Sequence, residues 1–319
     1  MRLDPALFDA SAVDPETRAF HEKLEALLAA SPPVTDFEPS VIRAAREAGD
    51  SIWGPIERLP HAESRSVEGP AGPIALRILR PERSRGVYLH LHGGGWTLGA
   101  EDQHDVMLDA LARHARCAVL SVGYRLAPEH PYPAGPDDCE AAALWLVERA
   151  AREFGSDHLV IGGESAGAHL SLVTLLRLRD RHGLRPFRGA NLVYGAYDLG
   201  MTPSVRRWGP RNLVLSTPVI EWFTAHFVPD PGRRADPDVS PLHADLSGLP
   251  PALLTVGTLD PLLDDSLFLA ARLQAAGGRA ELAIAPGGVH GFNAFPLGIA
   301  REANRRCEAF VAAALGDAR

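Results

Sequence analysis

Cysteine, net positive charge and long apolar runs are all scarce in this sequence, and each scarcity excludes a class of protein. The 319 residues carry 3 cysteines, Cys117, Cys139 and Cys307. They form no CxxC pair, and their odd number suits a reducing compartment. Basic residues number 32 against 40 acidic ones, a formal charge of −8. Such a surface opposes nucleic acid and anionic membrane, which both need a basic footprint, and mainly aids solubility. No run approaches the roughly 18 uninterrupted apolar residues of a membrane span. The N-terminus, MRLDPALFDASAVDPE, has acids at Asp4 and Asp9 and no apolar h-region, so no signal peptide is expected there. Repeats and low-complexity tracts are also missing. A cytoplasmic protein acting on a small molecule is the expectation.

What is present is an ordinary globular composition, with 46% apolar residues, enough for a full core. The length exceeds the usual 100–200 or so residues per domain, but α/β folds often exceed it as one unit. Phe20, Leu24, Leu27 and Leu28 recur at helical spacing between Thr17 and Ala30, and Ser31-Pro32-Pro33 ends that helix. A second helix is predicted from about Pro39 to Ala48, stopped by Gly49. From about Ser64 strands take over: Ile74 to Ile78, Val87 to Leu91, Cys117 to Val122, His158 to Ile161, Ala190 to Tyr194, Ala252 to Val256 and Ala280 to Ile284. Helices are predicted between the later ones, over Asp137–Glu153, Ala166–Arg179 and Leu262–Ala275, and a last helix runs to Leu315. This alternation predicts an α/β fold, a mostly parallel central sheet flanked by helices. Residues from Met201 to Pro237 break the alternation with prolines, arginines and aromatics. The predicted organisation is therefore cap helices over 1–50 and a catalytic domain over 51–319, with a cap insertion at about 201–237.

Gly163-Glu164-Ser165-Ala166-Gly167 matches G-x-S-x-G between the strand HLVIG and a helical segment. That context marks a nucleophile elbow. The tight turn strains the serine backbone and lifts its hydroxyl off the sheet, and flanking glycines leave room for it. The helix N-terminus behind the turn favours developing negative charge. His92-Gly93-Gly94-Gly95-Trp96 follows the strand VYLHL. Glycine amides there can meet the oxyanion of acyl transfer, together with the amide of Ala166. A phosphate cradle fits poorly, because Leu98 stands where G-x-G-x-x-G needs glycine and no P-loop occurs. His90 and His92 alternate on one strand face, but no HExxH or tight cluster accompanies them. His92 is instead expected to orient the glycine loop, and no metal and no cofactor are expected.

A serine needs a base and the base needs an orienting carboxylate, in the chain order Ser, acid, His. His169 and His182 lie on the helix after the elbow, and His226 and His243 lie in or near the insertion. His290 lies just past the strand AELAIAP, at the sheet edge where open α/β folds place their sites. Asp260 ends the run LLTVGTLD. Its rivals Asp264 and Asp265 fall in a first helical turn, where acids commonly serve the helix dipole. Trp96, Trp208, Trp222, Phe223 and Phe292 are candidates for the acyl pocket, Trp96 and Phe292 foremost. Arg125, Glu129 and His130 read as a buttress of the site.

The motifs HGGGW at 92–96, YRLAPEHPYPAG at 124–135, GESAG at 163–167, DPL at 260–262 and HGF at 290–292 resemble the hormone-sensitive-lipase-like family of bacterial esterases. The resemblance runs from about Ser64 to the C-terminus. It implies an α/β-hydrolase fold with a helical cap, Ser165 as nucleophile, His290 as base and Asp260 as acid. It also implies oxyanion donors among Gly93, Gly94, Gly95 and Ala166, short- to medium-chain acyl esters as substrates, no cofactor, and often a homodimer. An amidase or peptidase would need the same groups. A ligand-binding protein that had lost turnover would be expected to lack part of this set.

Overall fold

The computed structural model describes residues 3–316, so the first two residues of the 1–50 segment and the last three of the chain lie outside the described residues. Two helices come first, α1 (Pro15–Ala29) and α2 (Pro39–Glu47). Each opens on a proline, whose missing N–H costs nothing at a helix start. The antiparallel pair β1 (Glu63–Gly69) and β2 (Gly72–Leu79) follows, then β3 (Val87–Leu91), α3 (Asp105–Ala115), β4 (Ala118–Gly123) and α4 (Ala134–Phe154). The chain continues with β5 (Leu159–Glu164), α5 (Ala166–His182), β6 (Phe187–Val193), the short helices α6 (Pro203–Trp208) and α7 (Thr217–Phe227), β7 (Ala252–Leu259), α8 (Leu263–Ala275), β8 (Ala280–Val289) and α9 (Gly298–Leu315).

The strands form one sheet in the order β1-β2-β4-β3-β5-β6-β7-β8. Every pair from β4 to β8 is parallel, and only β1 and β2 run against their neighbours. The fold is the α/β-hydrolase fold. Central strands such as β3 and β5 are buried along almost their whole length, because helices cover both faces, which is why they read as unbroken apolar runs. The winding reverses between β3 and β5: the chain moves to β4 on one side and on to β6, β7 and β8 on the other. Such a switch point opens a crevice at the carboxyl ends of the strands.

Several details differ from the sequence reading. Helix α3 lies in a stretch given no element, and α4 starts at Ala134 rather than Asp137. Strand β8 runs on to Val289, so His290 leaves the strand end directly instead of sitting in a separate loop. Asp265 is not a solvent-facing dipole acid. It is fully buried and accepts hydrogen bonds from the amides of Tyr197 and Asp198, at 2.6 and 2.9 Å, and from the Thr202 hydroxyl at 2.7 Å. Asp264 accepts from the Ser204 amide at 2.8 Å. The first turn of α8 thus holds down the segment from which the insertion departs.

Burial pushes the Asp265 carboxyl up from 3.8 to about 7, against the hydrogen bonds from Thr202, Asp198 and Tyr197 that pull it down. A carboxyl whose pKa is raised by folding favours the fold in its protonated form. Its contribution is complete below the unfolded value and lost as pH rises through the folded one. The denaturant midpoint of the parent, taken relative to that of Asp265→Asn, which is neutral throughout, is therefore expected to fall between pH 4 and pH 7. Parallel curves for the two proteins would contradict the assignment.

Candidate active site

The carboxyl ends of four strands deliver the groups that the sequence singled out. Strand β5 ends in Ser165, which has φ 55° and ψ −119°, a strained conformation for any side-chain-bearing residue. Its amide donates to the Val193 carbonyl at 2.8 Å, and its own carbonyl accepts from His169 at 3.1 Å, so both sides of the elbow are tied down. The glycines of the motif are required by contact. A Cβ on Gly163 or Gly167 would fall on the carbonyl oxygen of Leu91, the last residue of β3.

Strand β8 delivers His290 and strand β7 delivers Asp260. His290 Nε2 lies 2.9 Å from Ser165 Oγ, and its Nδ1 lies 2.9 Å from Asp260 Oδ2. In neutral imidazole only one ring nitrogen carries a proton. With a carboxylate facing Nδ1, that proton sits there and Nε2 accepts from the serine hydroxyl. The other Asp260 oxygen accepts from the Leu262 amide at 2.9 Å, which fixes the carboxylate, and both residues are buried. The Tyr194 ring packs against His290 at 4.7 Å, and its hydroxyl donates to Asn293.

The loop after β3 lies over this serine. A Cβ on Gly93 would meet the Glu164 carbonyl at 2.9 Å and Ser165 Cβ at 3.5 Å. Gly94 and Gly95 have φ of 117° and 58°, and the Phe223 ring of α7 covers Gly95. Among the described residues no backbone acceptor takes the amides of Gly93, Gly94 or Gly95. Ala166 is the first residue of α5, where an amide has no partner within the helix. His92 holds the loop from beneath: burial pushes its pKa down to about 3, so Nδ1–H of the neutral ring donates to the Gly93 carbonyl at 2.8 Å. Tyr124 stacks on that ring at 4.2 Å and donates to the His92 carbonyl at 2.7 Å.

Behind the elbow, Glu164 accepts from His90 Nε2 at 3.0 Å, and the other nitrogen of His90 faces Ser121 Oγ at 2.9 Å. Burial pushes the Glu164 carboxyl up, but the His90 imidazole outweighs it and the net direction is down. Glu164 is therefore a carboxylate.

Ser165, His290, Glu164 and Gly93 to Gly95 open into one cavity of about 430 Å³. Val34, Phe37, Val41, Ile42 and Trp53 line it from the N-terminal segment, and Val214, Leu215, Val219 and Phe223 from the insertion. Trp96 and Phe292, expected in the substrate pocket, do not line it. Trp96 turns away beneath α7, stacked on Phe227 at 4.7 Å, with its indole N–H donating to His169 Nδ1 at 3.0 Å. Phe292 is fully buried in the core with Val193, Leu253 and Val256. Trp208 donates to the Arg211 carbonyl, and Trp222 packs on Phe223 and His226. Of the aromatic candidates only Phe223 lines the cavity.

Arg125 makes a paired bond to Asp138, at 2.8 Å from both Nε and Nη2, as a buttress would. Glu129 differs: its partner is Arg43 of α2, whose guanidinium also donates to the Thr97 carbonyl at 3.0 Å. The remaining histidines are engaged elsewhere. His169 donates from Nε2 to the Val239 carbonyl at 2.8 Å, and burial pushes its pKa down to about 4. His182 faces Glu140, His226 its own helix at Trp222, and His243 Asp198. Arg46 and Trp53 were missed. Trp53 carries no sequence signal, but Ile42, Ala45 and Arg46 fall at i, i+3 and i+4, so a charged residue on an apolar stripe was legible.

The model of the family described as "alpha/beta hydrolase fold" matches residues 88–294. The chain is 40% identical over 247 residues to the carboxylic ester hydrolase LipN of Mycobacterium tuberculosis, covering 73% of this chain and 65% of that one. It is 38% identical over 278 residues to the carboxylesterase NlhH of the same organism, covering 83% and 86%. The structure of a hyperthermophilic esterase from the archaeon Pyrobaculum calidifontis superposes with a TM-score of 0.85 at 32% identity, over 94% of this chain and 98% of that one.

The contact at the elbow generates a prediction. Gly167→Ala drives a methyl group into backbone that cannot rotate away, so a loss of about 4 kcal/mol or more of stability, or no folded protein, is expected. Denaturant unfolding of the purified variant measures it. A midpoint equal to that of the parent would show that the strand end gives way.

Proposed function

The chain belongs to the hormone-sensitive-lipase-like esterases of the α/β-hydrolase fold, and on that premise we propose that it hydrolyses carboxylic esters through an acyl-enzyme on Ser165. One observation carries the reading: the hydrogen-bonded series Ser165–His290–Asp260 opens at its serine end into an apolar cavity. His290 Nε2 takes the hydroxyl proton as Ser165 Oγ attacks the ester carbonyl, and Asp260 stabilises the imidazolium that forms. Amides from among Gly93, Gly94, Gly95 and Ala166 receive the oxyanion. Collapse expels the alcohol, which takes the proton from His290. Water then attacks the acyl-enzyme with the same base, and the acid departs.

The N-terminal segment 1–50 and the insertion at about 201–237 act in this reading as one cap over the catalytic domain. The turn at Val34–Asp36 packs on α7, and Arg211 of the insertion pairs with Glu25 of α1 at 2.7 Å. Walls from both segments favour short acyl groups. Each CH₂ that finds room contributes about 0.8 kcal/mol, and those beyond the cavity contribute nothing. Among the described residues no helix is long and apolar enough to cross a membrane. A cytoplasmic location is supported by three buried free thiols. A homodimer is supported by the family resemblance and by β8, whose outer edge no strand covers.

Ser165→Ala is expected to lose about 10⁴-fold or more of p-nitrophenyl butyrate turnover while keeping its far-ultraviolet dichroism. Near-parental turnover would remove the serine from the mechanism. Along a p-nitrophenyl ester series kcat/KM should peak near butyryl, with matched anilides far slower. Removal of residues 1–49 should lower the rate and broaden the profile. A palmitoyl optimum, or a truncated enzyme with the parental profile, would contradict the cap.

A further inference from the structure

Arg46 is a cation without a counter-ion in the wall of the reaction cavity. It lies in the last turn of α2 and lines the same cavity as Ser165 and His290. It also lines an adjoining cavity of about 470 Å³ that shares His104, Met107 and Glu164 with the first. Burial lowers its pKa, and no carboxylate offsets that effect. Among the described residues its guanidinium has no ion pair, no hydrogen bond and no aromatic ring beneath it. Three other arginines that the fold shields are paired. Arg77, Arg125 and Arg177 each meet a carboxylate within 2.8 Å, and Arg43, one turn earlier on the same helix, meets Glu129.

The charges nearby leave Arg46 its vacancy. Glu164 is engaged by His90, Glu308 of the adjoining cavity by His114, and Asp50 and Glu57 are exposed at the rims. His104 is half-buried with its Nδ1 shielded and unpartnered, and His92 lies under the glycine loop. Burial, and after it the Arg46 charge among others, keeps both imidazoles neutral. A half-buried guanidinium with no carboxylate beside it is well shaped to grip one through two parallel N–H bonds.

We propose that Arg46 is the anion-recognising residue of this site, and that the substrate class is a carboxylic ester carrying a free carboxylate at its far end, on the acyl or the alcohol half. This deepens the ester-hydrolase reading and rests on it. A small molecule filling the cavity places its ester carbonyl under the glycine loop and its carboxylate on α2. The N-terminal helix then reads the substrate as well as roofing it.

The test compares esters that differ only in that charge. Monoethyl glutarate against ethyl pentanoate places the carboxylate on the acyl half. 3-Butyryloxypropanoate against propyl butyrate places it on the alcohol half. Acid release in a pH-stat gives kcat/KM for each, in the parent, in Arg46→Met and in Arg46→Lys. The readout is the ratio of anionic to neutral ester, in which a general loss of folded enzyme cancels. For one of the two pairs the ratio should fall tenfold or more in Arg46→Met, mostly through KM, and partly recover in Arg46→Lys. The responding pair identifies the half that bears the charge. A ratio unchanged within twofold for both pairs, with the neutral esters still hydrolysed, overturns the role of Arg46 and leaves the esterase reading standing. Failure to hydrolyse any of the four by the parent overturns that reading, and this inference with it.

Discussion

The contact of the elbow with the end of β3 constrains everything else in the site. Gly163 and Gly167 leave no space between their Cα atoms and the Leu91 carbonyl. That contact fixes α5 against β3 with no side chain between them. The residue after Leu91 is His92, which starts the glycine loop, and the residue midway between Gly163 and Gly167 is Ser165. Ser165 and the glycine loop are therefore set by one backbone-to-backbone fit, and neither position depends on long side chains. The strained φ of Ser165 is sustained because the amide and carbonyl of the turn are both bonded into β6 and α5.

Around that fit, burial keeps the histidines in single roles. His92 and His169 are held neutral by desolvation, and each donates from one nitrogen to a backbone carbonyl. His92 thereby fixes the glycine loop, and His169 joins Trp96 to the loop at Val239 that leads back from the insertion. A charged imidazole in either place would need a second acceptor that the packing does not supply. His290 differs in having a carboxylate on one nitrogen and a hydroxyl on the other, which is what lets it gain and lose a proton during a reaction.

The sequence made the catalytic end of the sheet legible because its constraints are local. A glycine that must touch a carbonyl, or a proline after an aspartate at a strand end, leaves a residue-level mark within five positions. Strands buried on both faces leave an apolar run, and β3, β5 and β7 were read from theirs. The pocket was not legible to the same degree. Trp96 and Phe292 flank motif residues, and their size suggested walls. The φ of 59° at Trp96 turns its ring under α7, and the short 3-10 turn at Phe292–Ala294 buries its phenyl ring in the core. Those directions are set by tertiary packing, which no spacing rule encodes. The partners of Asp265 were hidden for a related reason. Position in a first helical turn does not say what folds over it, and here residues 197–202 do.

Much of the apolar wall comes instead from segments that carry no motif, the first fifty residues and the insertion. Buried side chains such as Leu24, Val219 and Phe227 pack these segments on the core, and long polar side chains tie them further, Arg43 to Thr97 and Glu129, and Arg211 to Glu25 between the two segments. Such tethers leave no motif, because many residue pairs serve the same purpose. They are also individually weak at the surface, commonly below about 1 kcal/mol. A cap held this way can change its lining residues without disturbing the backbone fit beneath it. The site thus has two kinds of wall: the end at Ser165 is built from glycine and backbone, where an added Cβ finds no room, and the apolar wall opposite from side chains on helices outside the sheet.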